Sequence, residues 1–284
     1  MMEITFWGVR GSIPSPGPEF NRYGGNTSCV SVKTRDGGLF ILDAGTGITV
    51  LGKDLMTTEF GSGGGRATLL LSHAHWDHIQ GFPFFAPVFV PGNHFTIYGP
   101  SESPAMVEGI LEGQMDPHFS PVHSLRNLGA DIEVLATQDG VSFEVEGVKV
   151  TGRFNPHGGY TALAYRLERG GVSLVYAPDA SYVEGTPTAE IQELYREATV
   201  LIHDCTYTVE DQAVRLSRGQ SSIADAARVA AMCNVGSLVM FHYDQDYTDN
   251  DVDQLVARGR RLLDEKGARD IAILGAAEGL TVKL

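Results

Sequence analysis

Cysteine is scarce. The three residues, Cys29, Cys205 and Cys233, are odd in number and scattered, with no Cys-x-x-Cys spacing. That argues against a disulfide framework and against a structural zinc knuckle. No apolar stretch approaches the roughly 20 residues a membrane span needs. The first ten residues carry a short strand-like run, Ile4-Thr5-Phe6-Trp7, in place of a charged leader and long apolar segment. The expected location is therefore the cytoplasm, away from any membrane. Positive charge is also in short supply: 21 Lys and Arg against 35 Asp and Glu give a formal charge of −14. A protein that grips long nucleic acid usually shows a basic face. Here the one basic cluster, Arg258, Arg260 and Arg261, falls in a late helical segment and reads as its solvated face. The Gly61–Gly65 stretch lacks the Lys-Ser/Thr ending of a phosphate-binding loop. No linker, composition break or short-period repeat divides the chain, so one domain over residues 1–284 is expected.

What is present in excess is histidine, in one place. Ser72-His73-Ala74-His75-Trp76-Asp77-His78 packs three histidines and an aspartate into six residues as H-x-H-x-D-H. It follows an apolar run, Ala67-Thr68-Leu69-Leu70-Leu71, that reads as a buried strand. A chain leaving a strand still half extended sends residues i and i+2 the same way, so His73 and His75 can share one metal ion. Asp77 and His78 open the next helix and point at a second ion beside the first. Crowding such groups is costly unless a divalent cation neutralises and orders them.

Strands are expected at 3–9, 28–35, 39–42, 67–71 and 95–98, in a run of short strands over 131–155, and at 161–167, 172–177, 199–203 and 236–241, with two more closing the chain. Helices are expected near 48–57, 103–114, 187–197, 221–232 and 249–265. Single polar residues recur just past strand ends: Asp43, His73, His157, Asp179, His203 and His242. Loops gathered on one edge of a sheet are where sites are built. Asp43, ending a buried strand before small residues, suits a hydrogen bond that fixes a ligand's tautomer, or is a simple turn aspartate. The Gly/Pro/Ser-rich loop from Gly11 to Asn26 lines a pocket or crosses the surface. The aromatic segment from Phe82 to Phe89 reads as core packing or as a pocket wall. His94, His118 and His123 lack ligand spacing.

With these positions in view, the chain resembles the metallo-β-lactamase-fold hydrolase superfamily along nearly its whole length. It is most similar to the branch of ribonuclease Z and the cyclic phosphodiesterases. His157-Gly158-Gly159 before Leu163-Ala164-Tyr165-Arg166, and His203-Asp204-Cys205-Thr206, resemble segments of that branch. The resemblance implies an α+β fold, a four-layer αββα sandwich of two mixed sheets flanked by helices. It implies that His73, His75 and His157 bind one metal, that Asp77, His78 and His242 bind the other, and that Asp179 bridges them. Two divalent ions are expected, zinc first, with manganese or iron also suited to imidazole and carboxylate ligands. The implied chemistry is attack by a metal-bridging hydroxide on a phosphodiester, with Asp77 able to accept its proton.

The chain departs from the branch in two places. Gly219-Gln220-Ser221-Ser222 stands where the branch has Gly-His-Ser-Thr, so Gln220 replaces the histidine assigned as proton donor to the leaving oxygen. Glutamine can hydrogen-bond that oxygen but cannot deliver a proton at neutral pH. His203 is then the candidate substitute. Second, His157 and Asp179 are only 179 − 157 = 22 residues apart, leaving no room for the basic arm ribonuclease Z uses to hold transfer RNA. The expectation is hydrolysis of a small anionic phosphodiester, a cyclic nucleotide first, by a likeness-implied homodimer that takes no long nucleic acid. The rivals are hydrolysis of a carboxylic ester, thioester or lactone, and a weakened sensor or binding protein that kept its ligands.

Overall fold

The computed structural model describes all residues of the chain except 123, 183–184 and 215–217, so His123 and Arg215, the latter read from sequence as a solvated helix end or a phosphate contact, lie outside the described residues. Strands β1 (Met2–Gly8), β2 (Cys29–Thr34), β3 (Leu39–Leu42), β4 (Arg66–Leu70), β5 (His94–Pro100) and β6 (Asp131–Thr137) form one sheet. The last strand of the chain, β14 (Thr281–Lys283), completes it beside β1. Strands β7 (Ser142–Val145), β8 (Val148–His157), β9 (Tyr160–Arg169), β10 (Val172–Ala177), β11 (Val200–Asp204), β12 (Ser237–Phe241) and β13 (Ala272–Gly275) form the second, in sequence order. Each sheet is antiparallel on one side and parallel on the other: β3 to β6 run parallel in the first, β10 to β13 in the second. The two mixed sheets with their flanking helices are the αββα sandwich anticipated above.

Alternation along the strands explains the layers. In β3, Phe40 and Leu42 join the core shared with β8 to β12, while Leu39 and Ile41 face the other way. In β4, Leu70 joins the first set, and Ala67 and Leu69 the second. Successive side chains of a strand point to opposite faces, so a four-residue apolar strand feeds both layers. The outer face of the first sheet is covered by α1 (Gly47–Leu55) and α3 (Pro104–Gly113) through Ile48, Leu51, Val107 and Leu111. The second is covered by α4 (Ala189–Tyr195), α6 (Ile223–Met232) and α7 (Asp249–Glu265) through Ile191, Val229 and Leu255. Ser222 and Thr248 start α6 and α7 with capping boxes to Asp225 and Asp251.

Two helices are shorter or newer than periodicity suggests. Helix α2 (Trp76–Ile79) is a single turn, and α5 (Val209–Val214) was not anticipated. Arg258 is paired with Glu210 and Arg260 with Asp264, so those cations sit in a solvated, internally balanced face. No helix among the described residues is long and apolar enough to cross a membrane. The three cysteines are free and buried.

The parallel strands aim the chemistry. Their carboxyl ends deliver Asp43 after β3, Ser72 and His73 after β4, Asp179 after β10, Asp204 on β11 and His242 after β12, and antiparallel β8 ends on His157. The crevice beyond the carboxyl ends of parallel strands is where such sheets place ligands.

Candidate metal centre

The loop between β4 and α2 stays extended through His75, so His73 and His75 diverge from His78, which lies one turn into the helix. Three overlapping groups of side chains result, in each of which one ligand atom per residue lies within 4.8 Å of the others: His73, His75 and His157; His73, His78 and Asp179; Asp77, His78 and His242. All seven side chains the resemblance assigns to metal are thereby brought together. Asp179 Oδ2 lies 2.8 Å from His78 Nε2, 3.4 Å from His242 Nε2 and 3.6 Å from His73 Nε2, at the centre of the set. Asp77 Oδ2 is 3.1 Å from His242 Nε2 and 3.4 Å from His78 Nε2.

The outer contacts decide what those nitrogens offer. A carboxylate or carbonyl oxygen only accepts, so each fixes a tautomer. Asp43 Oδ2 accepts from His78 Nδ1 at 2.7 Å, and Ser72 Oγ, itself donating to Asp43, accepts from His73 Nδ1 at 3.0 Å. The Gly219 carbonyl accepts from His157 Nδ1 at 2.7 Å, and Thr206 Oγ1 lies 3.0 Å from His242 Nδ1. Each Nε2 therefore presents a lone pair inward. His78 and His242 Nε2 face each other at 3.3 Å, and His73 Nε2 is buried with no hydrogen-bond partner. Lone pairs and two carboxylates converging on one space repel unless cations occupy it. This donor set, hard oxygens and imidazoles without thiolate, fits a pair of divalent ions.

Without cations, protons take that role. Burial disfavours the His242 imidazolium, but Asp179 and Asp77 outweigh it and raise the group to about 9. Burial likewise opposes charge on His78, yet Asp77 and Asp43 hold it well above the ordinary histidine value. Asp77 is driven well below the usual carboxylate range despite its burial, by His78 and His242.

Backbone shape is part of the site. Asp43 and His242 both hold left-handed φ, 59° and 62°. Non-glycine residues there cost on the order of 1–3 kcal/mol and persist where surroundings over-determine them. The Gly11–Asn26 loop lines the site: Ser12 N donates to Asp77 Oδ2 at 2.7 Å, and a Cβ on Gly11 would sit 2.3 Å from His242 Cε1. Only glycine lets that loop lie against the imidazole. Of the aromatic segment, Phe82 and Phe85 are core, while Phe84 and Phe89 are exposed.

Asp43 resolves to the tautomer-fixing role. Beyond His78 and Ser72 Oγ it accepts from Ser72 N at 2.7 Å and Tyr176 Oη at 2.8 Å. In D43N an amide must replace one acceptor, leaving a buried donor unpaired. Metal affinity is expected to fall about 10- to 100-fold, measured by competition with a chelating dye. Unchanged affinity would remove Asp43 from the site.

His203 has a different place from the one expected. It is fully buried, its Nδ1 donates to the Asp204 carbonyl at 2.7 Å, and its Nε2 meets Tyr182 Oη at 2.8 Å. Tyr182 continues to Tyr195, and Tyr195 to Asn155. Burial lowers its pKa to about 4, so the ring is neutral at pH 7 and both nitrogens are engaged. That is structural packing rather than a proton donor's setting. Gln220 does lie at the site: its Nε2 donates to Asp179 Oδ1 at 3.2 Å and its Oε1 accepts from Tyr207 Oη at 2.9 Å. His94 and His118 pair with Asp131 and Asp116 and belong to none of the ligand groups.

Asp204 went unassigned from sequence. It accepts from Ala180 N, Thr206 N, Thr206 Oγ1 and Ser221 N at 2.6–3.2 Å. It therefore ties the loops after β10 and β11 to the one carrying Gln220. Its position beside the recognised His203 was the available signal.

A sandwich of two mixed sheets with this His/Asp cluster at the strand ends defines a metal-dependent hydrolase of the metallo-β-lactamase fold. The chain belongs to the beta-lactamase superfamily domain family, whose profile matches residues 40–243 and so spans all seven positions. It is similar to ribonuclease Z of Mycolicibacterium paratuberculosis (strain ATCC BAA-968 / K-10), 29% identical over 264 residues, covering 86% of each chain. Among solved structures it resembles the metallo-beta-lactamase fold protein YhfI from Bacillus subtilis (TM-score 0.70, 20% identity, 99% of this chain and 98% of that one). It also resembles a diphosphatase from the PhnP family (TM-score 0.67, 16% identity, 100% and 98%).

Proposed function

We propose that this protein is a cytoplasmic, dinuclear-metal-dependent phosphodiesterase acting on a small phosphodiester, with a cyclic nucleotide as the first substrate class. The observation that carries the reading is the inward convergence of lone pairs from His73, His78, His157 and His242 around Asp179. His73, His75 and His157 would hold one ion, Asp77, His78 and His242 the other, with Asp179 between them. When bound, such a pair lowers the pKa of water towards neutrality and neutralises charge on a phosphoryl oxygen. Asp77, oriented by Ser12 N, is the carboxylate placed to take a proton from the attacking water. Gln220 Nε2 gives one hydrogen to Asp179 and lies 3.5 Å from His242 Nδ1; its second hydrogen is the one it would offer a departing oxygen.

The relatives named ribonuclease Z act on RNA by that name, so the acidic balance does not by itself exclude a nucleic-acid end as substrate. The absence of room between His157 and Asp179 for an arm, in a β8–β9–β10 meander with tight turns, favours a small molecule.

A substrate panel tests this. Zinc- or manganese-loaded protein is expected to hydrolyse bis-p-nitrophenyl phosphate and cyclic mononucleotides, and to leave p-nitrophenyl acetate and lactones largely intact. A preference for the carboxylic esters reverses the assignment. Preferential trimming of a transfer-RNA precursor reverses the size of the substrate.

A further inference from the structure

The site is acidic and buried, yet two large aromatic residues next to it, one in the chain and one in space, are exposed. Ala74, His75 and Trp76 are the exposed part of the ligand loop. Trp76 is 78% exposed although it stands between two ligand positions, and Tyr160, at the start of β9, is 73% exposed. The Tyr160 ring meets His75 edge-on, with centroids 5.9 Å apart and planes at 80°. His75 in turn packs against His73 and His157 at 4.4 and 4.9 Å. Trp76 therefore follows, and Tyr160 touches, the one exposed histidine of the cluster. Neither aromatic side chain belongs to the hydrophobic cores of the sandwich.

Position explains why this matters. Asp77 and His78 are buried on α2, while the residue before them, Trp76, is left exposed to solvent. Nothing in the packing of a one-turn helix requires an indole there, since a polar residue would be solvated at no cost. Single exposed apolar residues are ordinary on protein surfaces, but one directly after a ligand in the chain, with another packed on that ligand's ring, offers a platform. Bases stack on such side chains whatever their identity, because every base has a π-face. Stacking also adds affinity without positive charge, which this −14 protein has little of.

We propose that Trp76 and Tyr160 form a stacking clamp for the nucleobase of the substrate, making a base attached close to the scissile phosphate the specificity determinant. This rests on the phosphodiesterase reading above. Trp76 and Tyr160 are binding residues here and take no part in bond breaking.

The test compares adenosine 2′,3′-cyclic phosphate with its abasic counterpart, 1-O-methylribose 2′,3′-cyclic phosphate. In W76A the ratio of kcat/KM between the two is expected to fall about tenfold, through KM of the nucleotide, in line with base–aromatic stacking at other sites. W76F is expected to restore most of the ratio, and W76L little of it. An unchanged ratio in W76A and Y160A, or equal recovery by Phe and Leu, overturns the clamp. Binding supplies a readout free of turnover. The protein has two tryptophans, and Trp7 is half-buried and bonded to Ser31, so quenching of Trp76 emission can be isolated with W7F. Adenosine 2′,3′-cyclic phosphate is expected to quench it and the abasic ester not to. Quenching with no hydrolysis of either ester keeps the clamp and removes the proposed reaction, whereas hydrolysis with no quenching does the reverse.

Discussion

Stripping the protein with a chelator is expected to abolish turnover and to lower its Tm by about 10 °C at pH 8, both restored by zinc. Anything that binds the folded state alone stabilises it by linkage, about 4.1 kcal/mol at a thousand times the dissociation constant. For a chain of this size each kcal/mol moves Tm by roughly 2–4 °C. The loss should be smaller at pH 6. The metal-free fold holds His242 at about 9 and His78 well above the ordinary value. Raised folded-state pKa values stabilise that form fully below the unfolded histidine value, and the contribution is lost as pH rises through about 9. Protons also compete with cations for the same nitrogens, so metal affinity weakens as the pH is lowered. Both effects make the stripped protein relatively better off in acid. Differential scanning fluorimetry with and without chelator at the two pH values measures this. A Tm that ignores chelation at pH 8, in protein assayed for bound metal, would remove the ions from the folded site.

Much of this architecture is legible because alternation and spacing are local. Phe40 and Leu42 against Leu39 and Ile41 already encode a strand between two layers, and the six-residue histidine motif needs no tertiary information to be noticed. Polar residues at strand ends mark His157, Asp179 and His242 for the same reason. What escapes is whatever depends on convergence. The acceptor that fixes the His157 tautomer is a backbone carbonyl, that of Gly219, and carbonyls leave no mark in a sequence. Gly219 itself holds φ 71°, and a Cβ there would come within 1.9 Å of Gly158 N, so the glycine is readable only once the two loops are seen to touch. Ser72 and Thr206 look like ordinary hydroxyls until they are seen relaying between aspartates and imidazoles. His203 misleads for a related reason: it ends a strand as the ligands do, but its ring turns into the Tyr182–Tyr195–Asn155 chain.

Q220H is expected to raise the rate for substrates with poor leaving groups by about 10², the lower end of what a positioned general acid supplies. The position allows it. Gln220 is buried between Tyr207, which donates to its Oε1, and Asp179, which accepts from its Nε2. An imidazole in that slot would lie beside the Asp179 carboxylate, whose negative charge favours the protonated ring and offsets part of the repulsion from the two cations. It could then give its proton to a departing ring alkoxide, which a glutamine amide cannot do. p-Nitrophenolate leaves without protonation, so bis-p-nitrophenyl phosphate should gain little. The measurable signature is a flatter dependence of kcat on leaving-group pKa in Q220H than in the wild-type protein. Equal gains on both kinds of substrate would mean that the variant changed the nucleophile's side of the reaction. No gain on alkoxides, with metal content intact, would show that the leaving oxygen does not depart next to position 220. In that outcome the wild-type glutamine is a strut between Tyr207 and Asp179, and the enzyme relies on substrates whose leaving groups need no acid.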